Sequence, residues 1–574
     1  VSRGGAQDQN ENSVCDANVD LLRRLTGLTS FSLAAAIILL SVSLDARADP
    51  RGATEGSSVA AAAAVSASPP GAARARRAPL MEEWRFSPTL SDRPFTFLLA
   101  KLAVTLLLAL SAVFVGKKGG PWPSILALAA GLLAFNVFLD FGRVGISFNH
   151  PHMFDKAAFS PLFAFPDPAY GWPVFVHVAL LGTFLALGAR AVVDASFPRR
   201  AFVLTLFVLS VAGPLTLAFS SPAVVVYHQF FSPQLGYTGH VPALGAIDDF
   251  LKTYVDSMPR FTVHAGAHGP GPMLLLAILE KGLGLGRSGT SLSLLALTAF
   301  LPLLTTVLAR PYLGERAARV AGLLVLLSPS YHLYGFVCMD GVFAVCIVSA
   351  AILFLRALRA ERRSWLAAIG FGGLTYVGAM LTFSIAYLGL FGACCGVIAA
   401  ARKHVAWSRL VSVVIISTLT FTALHFLMLA STGFDLWACF RTAHELNDLR
   451  MGSARRSVSH YAFGVTGNLV GFLLACGVPT AALWLTRLVA ERKERSALTY
   501  LALGSAAAIG ILLLMGLYQW EVERIWIFLV PLVAVPAARH LETLDWMSGA
   551  RLLGILGAIW CQTLAWEIVL NTYW

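Results

Sequence analysis

The sequence predicts an all-α polytopic membrane protein of about 12–14 transmembrane helices, with an amphipathic loop on its extracytoplasmic side. Three observations carry that prediction. Hydrophobic residues fill 57% of the 574 positions and charged residues only 13%, which is far from the balance of a soluble globular domain. Apolar windows of roughly 20 residues, the length a bilayer requires, recur from Phe95 to the C-terminus. Lysine and arginine collect in short loops between those windows: Lys117-Lys118, Arg199-Arg200, Arg356 to Arg363, Arg402 to Arg409 and Arg487 to Arg495. Such loops mark the cytoplasmic side. The net charge of +12 therefore reports topology and argues against nucleic acid as a partner.

Three segments follow in chain order. Residues 1–80 combine a signal-like stretch, Leu21 to Pro50, with a low-complexity run rich in alanine; they read as a signal or as an over-extended start ahead of Met81. Residues 81–200 hold the first transmembrane helices, with spans near 95–116, 124–144 and 174–193. Residues 201–574 form the main transmembrane module. Its first span, near 201–220, starts beside the cytoplasmic Arg199-Arg200 pair, so it delivers the polar loop 221–272 to the extracytoplasmic face. The intervals around Asp435 to His460 and Gln519 to Glu523 fall on that same face. The run "MLLLAILEKGLGLG" is short for a span and leaves the parity between 273 and 320 open. Of the 8 cysteines, only Cys15 and Cys439 lie outside apolar runs, and no Cys/His ligand spacing occurs. Neither a disulfide framework, a metal site nor a cofactor is expected.

Chemistry concentrates at three places. In the long loop, Ile247, Phe250, Leu251 and Tyr254 recur at helical spacing, which predicts a short surface helix carrying Asp248, Asp249 and Lys252 toward water or a cavity. Carboxylates there suit a general base acting on a hydroxyl; the plainer alternative is a solvated helix face. The stretch "RFTVHAGAHGPGP" follows. Its prolines, Pro270 and Pro272, suit the first turn of a helix, and Gly269 and Gly271 permit close approach of another backbone or a ligand. His264 and His268 are thereby held at the membrane interface, placed to hydrogen-bond a phosphate or shuttle a proton. Finally, Asp340 opens a long apolar span, and Glu521, Glu523 and Arg524 stand at the mouth of another. Ionisable groups at such depths face a cavity or one another. The competing account is interfacial anchoring, with Trp520 and Trp526 as an aromatic belt and Arg524 snorkelling.

These motifs resemble those of the C-type membrane glycosyltransferases, the GT-C superfamily, which includes the protein O-mannosyltransferases and the aminoarabinose lipid A transferases. "HGPGP" at His268 to Pro272 is similar to the usual "HPPGP", with Gly269 in place of proline. "LSPSYHLYGFVCMD", with Ser328, Pro329 and Asp340, resembles a later motif in which Ser-Pro precedes a carboxylate at a helix start. "EVERIWIFLVP" resembles a Glu-x-x-Arg segment ending in proline, and "HYAFGVTGNLVGFLLACGVP" resembles a later region. The resemblance covers roughly Ala201 to the C-terminus.

It implies a GT-C-like fold in a bacterial inner (plasma) membrane. It also implies an enzyme that moves a sugar from a polyprenyl-phosphate donor to a hydroxyl of a glycan, lipid or protein on the extracytoplasmic face. The family's catalytic acid lies in the first extracytoplasmic loop, where this chain offers Asp248 and Asp249, with Asp256 as a further acid. His264, His268, Arg524, Glu521 and Asp340 are the implied donor and phosphate-binding set, with no metal. One departure stands out: "VVVYHQFFSPQLGYTGHVP", the usual place of the acid, holds none, so Asp248 or Asp249 substitutes, His240 takes the role, or activity is altered or lost. The alternatives are a transporter or flippase of a lipid-linked sugar or other anion, and a catalytically inactive relative.

Overall fold

In the computed structural model the chain divides into two units, Val1–Phe97 and Leu98–Trp574. The structure describes residues 103–113, 120–147, 165–166, 175–179, 181–183, 197–218, 236–335, 338–359, 363–451, 458–518, 521–547 and 549–571. The signal-like segment, Met81, Cys15, Trp520 and most of the expected 174–193 span lie outside these residues. The described chain is helical apart from one two-residue antiparallel pairing of Phe165–Pro166 with Leu570–Asn571.

Eight helices among the described residues have the length and apolarity to cross a membrane, or nine if the bent pair Gly464–Ala475 and Val478–Glu491 forms one span. The chain is a multi-pass, all-helical membrane protein. The longest candidate, Arg287–Leu327, is in fact two passes. At Gly314 the backbone leaves the helical region with φ 76°, a conformation open chiefly to glycine, and the two arms fold back on each other. A Cβ built on Gly322 would lie 2.5 Å from Thr306 Oγ1 and 3.1 Å from the Pro302 carbonyl, which is the register of an antiparallel hairpin with its tip near Gly314. Small residues at such a seam let helix backbones approach where no hydrophobic effect drives them together.

The hairpin and a second detail fix the parity that the sequence leaves open. Helix α1, Gly271–Ala277, passes into a π-helical turn, Ile278–Gly282. There Lys281 Nζ donates to the carbonyls of Val241 and Pro242, both at 2.9 Å. The run after the Gly-Pro motif therefore turns back to the rim that carries the long loop, and does not cross.

The opposite rim gathers the basic loops. Arg319 Nη2 donates to the Phe197 carbonyl at 3.1 Å, Arg316 Nη2 to Met547 at 2.7 Å, Arg409 Nε to Ala357 at 3.0 Å and Arg402 Nη1 to Glu494 at 2.6 Å. The Arg359 guanidinium sits 5.4 Å over the Tyr312 ring, whose hydroxyl meets that of Tyr500 at 3.1 Å. Segments far apart in sequence are thus tied to one edge. At the centre of the bundle, α2, Val530–Thr543, packs against the hairpin and against Val478–Glu491, with Val530 to Ala538 all buried. The bend of 110° before Val478 is satisfied by one side chain: Gln562 accepts from Val478 N at 2.8 Å and donates to the Leu474 carbonyl at 2.9 Å, supplying partners to backbone groups that lipid cannot hydrate.

Candidate active site

The loop rim is built on buried aromatic residues. The surface helix forms as the spacing predicts, as Ile247–Lys252 followed by Tyr254–Ser257, with Leu251 and Tyr254 buried. Tyr254 rests among Phe250, Phe261 and Phe434. Its hydroxyl donates toward the carbonyls of Ala265, at 3.2 Å, and His268, at 3.0 Å, so one tyrosine holds the histidine segment from beneath. Thr262 ties the segment at its other end, its Oγ1 donating to the Gly236 carbonyl at 2.7 Å. His240 has a fixed job in the same loop: its Nε2 accepts from Thr262 N at 3.2 Å. With that lone pair engaged by the backbone, His240 does not fit the base role the sequence leaves open to it.

The Gly-Pro run behaves as its residue types require. Pro270 caps α1 and Pro272 stands in the first turn. Gly269 and Gly271 lie against the end of α3, Ser364–Leu381: a Cβ would meet the Met380 carbonyl oxygen at 2.4 Å from position 269 and at 2.6 Å from position 271. No side chain fits there, which accounts for glycine at position 269, where the similar family motif has proline.

Two remote segments meet this loop. Helix α4, Asp340–Leu358, starts with the Asp340 carboxylate, and the short helix α5, Val522–Ile525, presents Arg524. Arg524 Nη1 donates to Asp340 Oδ2 at 2.5 Å, and Nη2 to Glu521 Oε2 at 2.5 Å. The Arg524 and Asp340 side chains are only 8% and 10% exposed, whereas Glu521 is 26% exposed. Fixed neighbours hold the segment in place. Ser330 Oγ donates to the Glu523 carbonyl at 2.8 Å, from the short helix Pro329–Tyr334 that Ser328 caps by accepting from Tyr331 N. Just upstream of Glu521, Asn468 Nδ2 donates to the Tyr518 carbonyl at 2.7 Å, and the Tyr518 hydroxyl meets Ser384 Oγ at 3.0 Å.

The loop and the ion pair form one electrostatic unit. His268 feels both Asp340 and Arg524, yet burial dominates and lowers its pKa to about 4, with Asp340 raising and Arg524 lowering it. The imidazole is neutral at physiological pH. Its Nδ1 is buried and has no hydrogen-bond partner among the described residues. Tyr237 lies with its ring centroid 6.3 Å from His264 and 6.2 Å from His268; burial raises its pKa, as does Asp340. Burial likewise pushes the Cys338 thiol up, which keeps it protonated and unsuited to nucleophilic chemistry.

Of the residues the sequence singles out, the structure brings together His268, Asp340, Glu521 and Arg524, and sets His264 beside them through Tyr237. Asp248 and Asp249 are exposed on the water-facing side of the surface helix; among the described residues no ion pair or hydrogen bond joins their carboxylates to the Arg524 cluster. Two of the competing readings need correction. Trp526 is 1% exposed and packs on Phe472 and Tyr518, so it is core and not an aromatic belt. Arg524 does not snorkel, because both of its outer nitrogens are held by carboxylates. Tyr237 is the residue sequence reasoning missed: a tyrosine in a polar loop carries no periodic signal, and only the fold sets it between the two histidines. Among the described residues no group of three or more His, Cys, Asp or Glu side chains is arranged to hold a metal ion.

Such a centre offers one buried guanidinium with planar donors matched to carboxylate or phosphate oxygens. Beside it stand a neutral imidazole with an unused ring nitrogen and acids on the same rim. No family model matches the chain, and no curated protein matches it. Solved structures similar to it include ArnT from Cupriavidus metallidurans bound to undecaprenyl phosphate, at 15% identity and TM-score 0.39, over 58% of this chain and 60% of that one. They also include the archaeal oligosaccharyltransferase AglB from Archaeoglobus fulgidus in complex with an inhibitory peptide and a dolichol-phosphate, at 15% identity and TM-score 0.39, over 65% of this chain and 56% of that one. The alignments thus span less than two thirds of either neighbour's length.

Proposed function

We propose that the protein is an integral membrane glycosyltransferase that moves a sugar from a polyprenyl-phosphate donor to an acceptor hydroxyl on the extracytoplasmic face. One observation carries the reading. Arg524 and Asp340, 184 residues apart, close on the histidine loop at the rim opposite the basic loops, with the partly exposed Glu521 on the same guanidinium. The motifs that resemble the GT-C enzymes are the ones that converge.

In this reading Arg524 pairs with the donor phosphate and stabilises the charge that grows on it as the glycosidic bond breaks. His268, being neutral, contributes a hydrogen bond and no charge. Asp340 orients the guanidinium. The base is drawn from Asp248 or Asp249, the exposed acids of the long loop, while Asp340 stays engaged by Arg524. Catalytic hydrogen bonds often tighten only when substrate is bound, so the open placement of the two loop acids is compatible with that role. A transporter would need paired broken helices in related halves; the described residues contain one bent pair.

Full-length protein incubated with radiolabelled polyprenyl-phosphate sugars is expected to release free polyprenyl phosphate. Movement of intact donor between leaflets without turnover would replace this reading with the transporter. The double variant Asp248→Asn/Asp249→Asn is expected to lower transfer by about 10²–10⁴-fold with expression and donor binding retained. Full activity in that variant would remove the loop acids from the mechanism.

A further inference from the structure

The charge balance at Arg524 disfavours a phosphate as the site stands. A guanidinium carries five N–H donors and recognises an oxyanion through pairs of them; here each outer nitrogen already donates to a carboxylate, one to Asp340 and one to Glu521. Two carboxylates facing one guanidinium carry an excess of negative charge. His268, held neutral by burial, does not offset it. An incoming phosphate would meet that excess, and like charges at contact distance repel strongly in a partly desolvated site.

The two carboxylates are not equivalent. Asp340 is fixed at the start of a long, buried helix, and its side chain is 10% exposed. Glu521 is a local partner, three residues from Arg524, and is 26% exposed. Its backbone sits at φ 59°, in the left-handed region that side chains with a Cβ adopt at a cost. Its carbonyl accepts from Arg524 N and Ile525 N, which hold the backbone in place; the side chain, joined to Arg524 by one ion pair that water can reach, is the partner that can leave.

We propose that Glu521 is a displaceable counter-ion. It occupies the outer nitrogen of Arg524 in the absence of ligand, and the phosphate of the lipid ligand takes its place. Asp340 remains as the permanent partner that aims the guanidinium. The proposal rests on the reading that Arg524 receives a lipid phosphate, and it adds that the resting site is closed to that phosphate by its own carboxylate. Affinity is then set by the exchange of one anion for another.

The test is a titration of full-length protein in lipid nanodiscs with farnesyl phosphate, with farnesol as the uncharged control, followed by calorimetry. Farnesyl phosphate is expected to bind Glu521→Gln about tenfold more tightly than the wild type, the effect of removing one partly screened competing charge. Arg524→Ala is expected to bind it at least about tenfold more weakly. Glu521→Asp, which keeps the charge, should stay near wild-type affinity, and farnesol should not distinguish the variants. Unchanged or weaker binding by Glu521→Gln, with Arg524→Ala still impaired, would overturn the counter-ion role and leave the phosphate reading standing. A gain for Glu521→Asp, or for farnesol, equal to that of farnesyl phosphate on Glu521→Gln would also overturn it, since charge would not be the cause. If no protein, the wild type included, separates farnesyl phosphate from farnesol, the phosphate reading falls and this proposal with it.

Discussion

Arg487 and Arg524 each hold two carboxylates, and they do so at opposite rims. At the basic rim Arg487 contacts Glu491 Oε1 at 2.6 Å and Glu494 Oε2 at 2.5 Å. At the loop rim Arg524 holds Asp340 and Glu521 at the same distances to within 0.1 Å. The first cluster is finished locally: Glu491 is fully buried, and its second oxygen accepts from Thr499 Oγ1 at 2.7 Å. Its members span only Arg487 to Thr499: one helix end, the turn after it and the start of the next helix. The second cluster joins segments 184 residues apart, includes a residue with positive φ, and borders an imidazole whose Nδ1 has no hydrogen-bond partner among the described residues. A polar network that is fully satisfied rigidifies a fold, whereas one left partly open is a place for something else to bind.

The largest expected effects separate the two arginines by what they damage. Arg487→Ala strands a fully buried Glu491 and is expected to cost about 3–5 kcal/mol of stability, read by thermal unfolding in detergent. Donor affinity in the surviving folded protein should be unchanged. Arg524→Ala is expected to lower transfer by about 10²–10³-fold, the loss typical of removing one transition-state donor. Its unfolding midpoint should fall less than that of Arg487→Ala, because Glu521 is 26% exposed and Asp340 10%, against 0% for Glu491. Equal losses of stability in the two variants would erase the distinction and make Arg524 a second structural clamp.

How much of this was legible beforehand follows from what stands out in an apolar sequence. Asp340, Glu521 and Arg524 are conspicuous because charge within a hydrophobic run demands a partner. The Gly-Pro run is conspicuous because those residues have few conformational uses. That the histidine loop, Asp340 and Arg524 converge is a long-range fact that no local pattern contains. The role of Trp526 was hidden for a related reason. A tryptophan near a span end suits an interface and a core equally well, and only its neighbours Phe472 and Tyr518 decide. The hairpin at Gly314 was obscured because Arg310 and Glu315, which look like a loop, sit within near-continuous helix and form an ion pair with each other. Asp248 and Asp249 illustrate the remaining gap: their helix was legible from spacing, but their relation to the centre depends on a substrate.

A smaller effect tests whether the loop rim depends on rigid seating of its histidines. Gly269→Ala would place a Cβ 2.4 Å from the Met380 carbonyl oxygen and 2.9 Å from its carbon. Both are backbone atoms at a helix end, and neither can rotate away. The expected cost is about 1–3 kcal/mol, with a rise in KM for the donor as His268 shifts. An unchanged KM would mean that the loop's position does not govern the site.

The smallest effect concerns His268 and proton uptake. Its pKa in the folded protein is about 4, against an ordinary value of 6.5, so between those two values the unfolded chain binds more protons than the folded one. Stability therefore rises with pH across that window. The stabilising state is complete above about pH 6.5 and is lost progressively as the pH falls toward 4. The wild-type unfolding midpoint should decline on acidification from pH 6.5 to 4.5 more steeply than that of His268→Phe, which has nothing to protonate there. Donor binding, in contrast, should show no inflection from this residue between pH 6.5 and 8, where the imidazole stays neutral. A binding transition in that upper range that disappears in His268→Phe would mean that the histidine is charged near neutrality. Arg524 would then share the loop rim with a second cation, and the excess of negative charge that sets it apart from the Arg487 cluster would be gone.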